Sequence, residues 1–250
     1  MLDCLKAGNR AAAVAEMARK AGEAPEGKTI SIQVVRPDGQ VDKQPVRYEE
    51  LVAEAGRLAP LIPQCARCPA NVLRRPFGCI GAINYPIPKV VEEWLACMLQ
   101  PSTAIGGKLF LDSIREFGYT GQPIQKFREA GMFESDQPIK KKVKGGLFSS
   151  TSVTTSQLFE ALFCINDPLD PNHCLGVLLW LGSIRLDGAP VETPEQAMAT
   201  FRLGTPEERE QRTELVTEGD LSVDGIEQFD WFLRALYQTW VLNKPLWVSA

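Results

Sequence analysis

The sequence contains one histidine, His173, in 250 residues. Every catalytic arrangement that needs an imidazole, such as Ser-His-Asp or Cys-His, must therefore use this residue. Its neighbour Cys174 is a poor partner, because successive positions on a helix face different directions. Zinc motifs of the His-Glu-x-x-His type are excluded. A polar residue at a helix start is the more conservative interpretation of His173.

A phosphate-binding glycine loop is also missing. Residues 105–108, Ile-Gly-Gly-Lys, match a fragment of one but lack the required spacing and follow no predicted strand. We therefore predict a flexible loop or a helix start there. Adjacent acids such as Glu92 and Glu93 point to different sides of a helix, so we interpret them as surface residues that aid solubility. No catalytic residue is assigned.

Long apolar runs and an excess of positive charge are absent as well. The longest apolar stretch, residues 175–181, is far shorter than the roughly 20 residues that cross a bilayer. The N-terminal segment lacks the features of an export signal. Lysine and arginine number 27 against 31 acidic residues, a net charge of −4, which disfavours nucleic acid and anionic lipid as partners. We expect a soluble cytoplasmic protein with no membrane partner.

What is present is an ordinary globular composition, with 44% hydrophobic and 23% charged residues. Hydrophobic periodicity predicts a helix-dominated α+β fold with about eight helices and a small β-hairpin or sheet near the N-terminal third. We expect a single globular domain over residues 1–250, with a two-lobe division near 140–156 as the alternative. Helices are predicted at 2–21, 48–58, 88–98, 103–117, 123–130, 171–181 and 224–242, from Thr155 or Ser156, and as short surface helices at Pro194 and Pro206; strands are predicted at 29–35, 41–46 and 184–186 and considered at 80–85 and 138–143.

Seven cysteines are the most informative feature of the sequence. An odd number without an export signal argues against a full disulfide framework. Cys65, Cys68 and Cys79 lie in a loop-like segment, residues 64–88, that is rich in proline. The Cys-x2-Cys spacing places two sulfurs within reach of one ion, and a third cysteine can complete three corners of a tetrahedron. The segment therefore predicts a structural metal site, with zinc favoured.

A fourth ligand must come from elsewhere in the chain. Cys97 lies on the next predicted helix, and His173 or Cys174 is the alternative. The Cys68-Pro69 dipeptide is also typical of iron–sulfur ligation, so an iron–sulfur cluster is the alternative cofactor. A further interpretation has no metal, with the cysteines as small buried side chains in a loop stiffened by proline.

These features predict a soluble binding or scaffold protein in which a cysteine-ligated metal stabilises residues 64–88. The apolar C-terminal segment, residues 245–248, would supply the contact with a protein partner or a second copy of the chain. One alternative is an enzyme that uses the same cysteines, as a nucleophile or as ligands of an iron–sulfur cluster. Another is anion or nucleic-acid binding through a lysine cluster, although a solvated strand edge also explains that cluster. The cluster comprises Lys140, Lys141, Lys142 and Lys144.

Overall fold

The chain divides into two compact units, Met1–Phe77 and Gly78–Ala250, called here the first and the second unit. Residues 140–156, where the sequence suggested a division, lie within the second unit. The Pro-Asp-Gly sequence at 37–39, which is typical of a turn, the predicted short helix at Pro194, and Cys164 lie outside the described residues. The computed structural model describes residues 2–35, 41–71, 74, 76–99, 104–144, 150–163, 168–186, 196, 199, 204–217, 220–223 and 225–248.

The first unit contains an antiparallel hairpin and the helices that flank it. Its small core consists of Ala7, Ala11, Ile32 and Leu51. Alanine on the first helix allows close packing, because a small side chain lets neighbouring backbones approach. The elements are α1 (Leu2–Ala21), β1 (Thr29–Val35), β2 (Val41–Arg47), α2 (Tyr48–Gly56), a 3-10 turn (Ala59–Leu61) and the short α3 (Ile62–Cys65).

The second unit contains most of the helices around one large apolar core. The helix that begins at Pro171 shows why the sequence starts a helix there. Proline suits the first helical position, and the carboxylate of Asp170, just before it, accepts a hydrogen bond from the Asn172 backbone N–H at 2.7 Å. The elements are α4 (Lys89–Met98), α5 (Ala104–Phe117), α6 (Gln122–Glu129), β3 (Lys140–Lys144), β4 (Ser150–Thr154), α7 (Thr155–Phe163), α8 (Pro171–Trp180), β5 (Ile184–Leu186), α9 (Pro206–Arg212), β6 (Thr213–Leu215) and α10 (Ile226–Leu242).

Helix α8 lies at the centre of the second unit and packs against α5 and α10. Its sequence is apolar on nearly all sides, a pattern that predicts a buried helix. Leu175, Val177 and Leu178 are fully inaccessible to solvent. The prediction is therefore confirmed, and α8 is the element around which the larger core is organised.

The strands form three two-stranded antiparallel sheets: β1 with β2, β3 with β4, and β5 with β6. The sequence analysis left 138–143 open between a strand and a linker, and it did not predict β4 or β6. The strand considered at 80–85 was wrong, since these residues, all described, contain no strand. There the Asn84 backbone N–H donates to the Gln228 side chain at 2.7 Å instead of to a neighbouring strand.

The helix-dominated α+β class is confirmed. Among the helices in the described ranges, none is both long enough and apolar enough to span a bilayer.

Candidate functional site

Cys65, the last residue of α3, begins a series of tight turns in the first unit. The backbone N–H of Cys68 donates to the Cys65 carbonyl at 3.0 Å, and the N–H of Asn71 donates to the Cys68 carbonyl at 2.9 Å. The N–H of Arg74 then donates to the Asn71 carbonyl at 3.2 Å. These turns bring the two cysteines of the Cys-x2-Cys pair into one compact loop, in which Cys65 is buried and Cys68 is half-buried.

The sulfur of Cys65 accepts hydrogen bonds from two nitrogen donors. The Phe77 backbone N–H lies 3.0 Å from Sγ, and the Asn71 side-chain Nδ2 lies 3.8 Å from it. The same Asn71 nitrogen also donates to the Cys65 carbonyl at 3.2 Å. Arg74 and Phe77 have φ angles of 49° and 55°, a left-handed conformation that costs a non-glycine residue about 1 kcal/mol or more. The loop thus adopts an unfavourable backbone conformation while directing an N–H at the sulfur.

The other predicted ligands belong to the second unit, which begins at Gly78. Cys79 is half-buried, and Cys97 is exposed on α4. Six cysteines are described, and all of them are thiols. Three arginines lie close to these cysteines in the sequence; Arg67 and Arg74 are exposed, and Arg75 lies outside the described residues.

The two α8 residues proposed as alternative ligands both lie in the packing of the second unit. Cys174 is fully buried in the core. The His173 Nε2 lies 2.7 Å from the Ala161 carbonyl oxygen, and its ring contacts three aromatic rings edge-on. Desolvation by burial lowers the pKa of His173, although the Ala161 carbonyl and the Asp170 charge act in the opposite direction. The imidazole is thus mainly a packing group. The rings are those of Phe117, Tyr119 and Trp180.

Within the part of the chain that the structure describes, no group of three or more histidine, cysteine, aspartate or glutamate side chains could hold a metal ion. Metal binding is therefore not supported by the described part of the structure. The predicted ligand set and the predicted cofactors, zinc or an iron–sulfur cluster, stay predictions.

The lysine cluster lies on the β3–β4 hairpin, and strand geometry divides it between two faces. Lys140, Lys142 and Lys144 are opposite Thr154, Ser152 and Ser150. Because side chains alternate along a strand, these three lysines share one exposed face. Lys141 lies on the other face, next to Val143, and is half-buried. The sequence treated the four as a single cluster, whereas the structure separates Lys141 from the rest.

The C-terminal apolar segment is partly used inside the second unit. Leu246 forms an isolated antiparallel bridge with Leu169, with N···O distances of 2.7 and 3.0 Å. Leu246 and Val248 pack against the larger core, whereas Trp247 is 74% exposed. Of the predicted partner surface, Pro245 and Trp247 are exposed, and Trp247 is the larger side chain.

Sequence reasoning missed a buried ion pair between Glu92 and Arg128, whose side chains are both fully buried. The interpretation of Glu92 as a surface acid was wrong. A signal was available, because Glu92 shares one helix face with Leu95 and Ala96, three and four positions further on, and both are buried.

No family model, curated protein or solved structure was found to match this chain.

Proposed function

We propose that this protein is a binding or scaffold protein whose Cys65-x2-Cys68 pair holds a structural zinc ion. The observation that supports this most directly is the pair of nitrogen donors on the Cys65 sulfur, from Phe77 and Asn71. A neutral thiol is a weak acceptor, whereas an anionic sulfur accepts charge-assisted hydrogen bonds. Zinc ligands are thiolates, and hydrogen bonds to the ligating atoms are a regular part of metal sites.

Local charge and spacing agree with this proposal. Arg67 and Arg74 belong to the same loop, and cationic groups near ligating sulfurs offset the negative charge of two thiolates. Zinc in structural sites takes four ligands. The proposal covers the two ligands that this loop supplies, Cys65 and Cys68, and the further candidates are tested by substitution.

The proposed role of the ion is to stabilise the loop. Metal-binding free energy adds to folding free energy wherever the unfolded chain holds the ion poorly. Such a contribution would offset the backbone cost of the left-handed residues Arg74 and Phe77. A rigid loop would then present a fixed surface to a binding partner.

Elemental analysis of protein purified without chelator tests the site. We expect about one zinc per chain, and we expect loss of the metal in C65S and in C68S. The matched control is C4S, because Cys4 is also a buried thiol of the first unit but donates to Glu54 at 3.0 Å. C4S is expected to keep the metal, and C79S and C97S test the remaining ligands.

Thermal melting supplies the second readout. A chelator should lower the melting temperature of the wild type to that of C65S, and it should leave C65S unchanged. Metal-free wild-type protein whose melting temperature responds to neither chelator nor added zinc would remove the proposal. Iron with visible charge-transfer absorption would replace zinc by an iron–sulfur cluster. Rapid alkylation of Cys65 in metal-free protein would favour the thiol-dependent enzyme.

The proposed partner contact is Trp247. Tryptophan is enriched at protein interfaces, and the packing of Leu246 and Val248 on either side restrains this segment. Sedimentation velocity at rising concentration tests self-association, which W247S should weaken. The control is M17S, because Met17 is 59% exposed and belongs to the first unit. A wild type that stays monomeric at every concentration would exclude the second copy as the partner.

A further inference from the structure

The exposed face of the β3–β4 hairpin carries a regular row of positive charge. Lys140, Lys142 and Lys144 alternate along β3, so successive ammonium groups start about 6.7 Å apart. Across the hairpin the opposite positions are Thr154, Ser152 and Ser150, in that order. The face thus has a row of three cations beside the exposed hydroxyls of Ser150 and Ser152, whereas the half-buried Thr154 hydroxyl donates to Gln157 Oε1 at 3.3 Å.

These lysines form no ion pair with any residue in the described ranges. Elsewhere lysines of this protein do have carboxylate partners, for example Lys89 with Glu93 at 3.5 Å. No carboxylate in the described part of the chain therefore neutralises the charge of these three lysines. The charge is available to a partner of opposite sign.

The other face of the hairpin explains how the lysines are held. Val143 and Val153 are each 1% exposed and belong to the core of the second unit. A strand with one buried face has a strongly specified register, because a slip of one residue would expose its apolar side chains. The position of the lysine row is thus set by the packing of the two valines.

We propose that this face binds the phosphate backbone of single-stranded nucleic acid. A straight row of cations matches an extended chain of phosphates, and lysine and serine or threonine side chains are regular donors to phosphate oxygens. The exposed positions of the two strands carry no apolar side chain that would enter a lipid surface. They also carry no aromatic ring on which bases would stack, so phosphate contacts alone would hold the strand, and because such contacts carry no sequence information we expect binding without sequence preference. The chain's net charge of −4 disfavours such a partner for the protein as a whole. The three aligned lysines nevertheless make this one face locally positive.

Fluorescence anisotropy with a labelled oligothymidylate tests the proposal. Three phosphate contacts predict that log K falls with log salt with a slope of about −2 for a single strand, which is about 20-fold in affinity between 50 and 200 mM salt. K140Q/K142Q/K144Q should lose most of the binding and most of the slope. K141Q removes a charge from the same strand but from the other face, so it should bind nearly as the wild type does.

A second triple variant controls for net charge. K89Q/K126Q/K244Q removes three exposed lysines of the second unit that lie outside the hairpin, and it should retain the binding. Circular dichroism melting of both triple variants verifies that they are folded. The proposal is overturned by three results: no binding of the oligonucleotide at about 50 mM salt, equal loss in the two triple variants, or tighter binding of polyglutamate or anionic phospholipid vesicles through the same three lysines. The last result would identify an acidic protein or a membrane surface instead.

Discussion

The guanidinium of Arg128 and the carboxylate of Glu92 form a bidentate ion pair in the interior of the second unit. Arg128 Nη1 lies 2.9 Å from Glu92 Oε1, and Nη2 contacts Oε2. The remaining donors reach Ser156 Oγ at 3.0 Å, the Ser135 carbonyl at 2.8 Å and Thr155 Oγ1 at 3.2 Å. All five guanidinium N–H groups therefore have acceptors.

This ion pair joins three helices, since Glu92 is on α4, Arg128 on α6 and Thr155 on α7. The Thr155 hydroxyl donates to Glu92 Oε2 at 2.7 Å and accepts from the Ile139 backbone at 3.0 Å. Desolvation makes a buried charge costly unless every polar group around it is satisfied. The contribution of Arg128 therefore depends on the complete set of its partners.

Replacing Arg128 should strongly destabilise the protein. R128M leaves the Glu92 carboxylate buried without its counter-ion, which costs about 3–5 kcal/mol in comparable sites. R128K keeps the charge but offers three donors in place of five, so it should also lose stability. Denaturant unfolding measures both free energies.

The double variant E92L/R128M is the control for this pair. If the loss in R128M comes from an uncompensated charge, removing both charges should cost less than the sum of the single substitutions E92L and R128M. Additive losses would show that the two side chains do not depend on each other.

Gly106 is required by close packing between α5 and α8. A Cβ at this position would lie 2.8 Å from the Leu179 carbonyl oxygen and 3.0 Å from that of Trp180. These are backbone atoms of the central helix and its end, so G106A should cost about 1–3 kcal/mol. The sequence offered a loop or a helix start at this residue, and the helix start is confirmed.

G176A is the matched control, because Gly176 is a buried helical glycine of α8. A Cβ there would meet the Trp180 side chain at 3.5 Å, an ordinary contact. Alanine also favours helix by up to about 1 kcal/mol over glycine, so G176A should be as stable as the wild type or more so. Equal melting temperatures for G106A and G176A would contradict the conclusion that close packing requires glycine at position 106.

His173 should make stability depend on pH. Burial lowers its pKa below the ordinary 6.5, so the unfolded chain takes up the proton first and folding loses free energy as pH falls from 6.5 through the lower folded pKa. H173Q does not titrate and retains a donor for the Ala161 carbonyl. The stability difference between wild type and H173Q, measured by denaturant unfolding, should therefore change in this window and be constant above it. A constant difference throughout would show that burial does not perturb the imidazole.

The thiol of Cys4 should be slow to react. Its hydrogen bond to Glu54 Oε1, then burial and the Glu54 charge, raise the pKa of Cys4. E54Q removes the negative charge, so alkylation of Cys4 followed by mass spectrometry should become several-fold faster. Cys97, exposed in the second unit, is the internal control and should react at the same rate in both proteins. An unchanged Cys4 rate in E54Q would rule out the charge effect.

Local pattern was sufficient to locate most helices. The predicted boundaries of the first helix, residues 2–21, coincide with α1, and the predicted 171–181 helix differs from α8 by one residue. The periodicity of apolar side chains and the proline at a helix start depend only on near neighbours in sequence.

Pairing between distant strands was not predictable in the same way. β5 and β6 have three residues each, and Ile184 pairs with Leu215. Segments this short carry almost no periodicity, so their partner is decided by the packing around them. The same reason explains why the sequence did not predict β4, since this strand is a polar run in which one residue, Val153, is buried.

By itself the sequence determined the helix-dominated class, the N-terminal hairpin and the Cys-x2-Cys spacing, because each arises from residues close together in the chain. Only the tertiary structure decided that Glu92 is buried with Arg128, that Gly106 lies against the end of α8 and that three lysines share one exposed face. Which residues pair across the core depends on which distant surfaces meet, and the local sequence pattern does not contain that information.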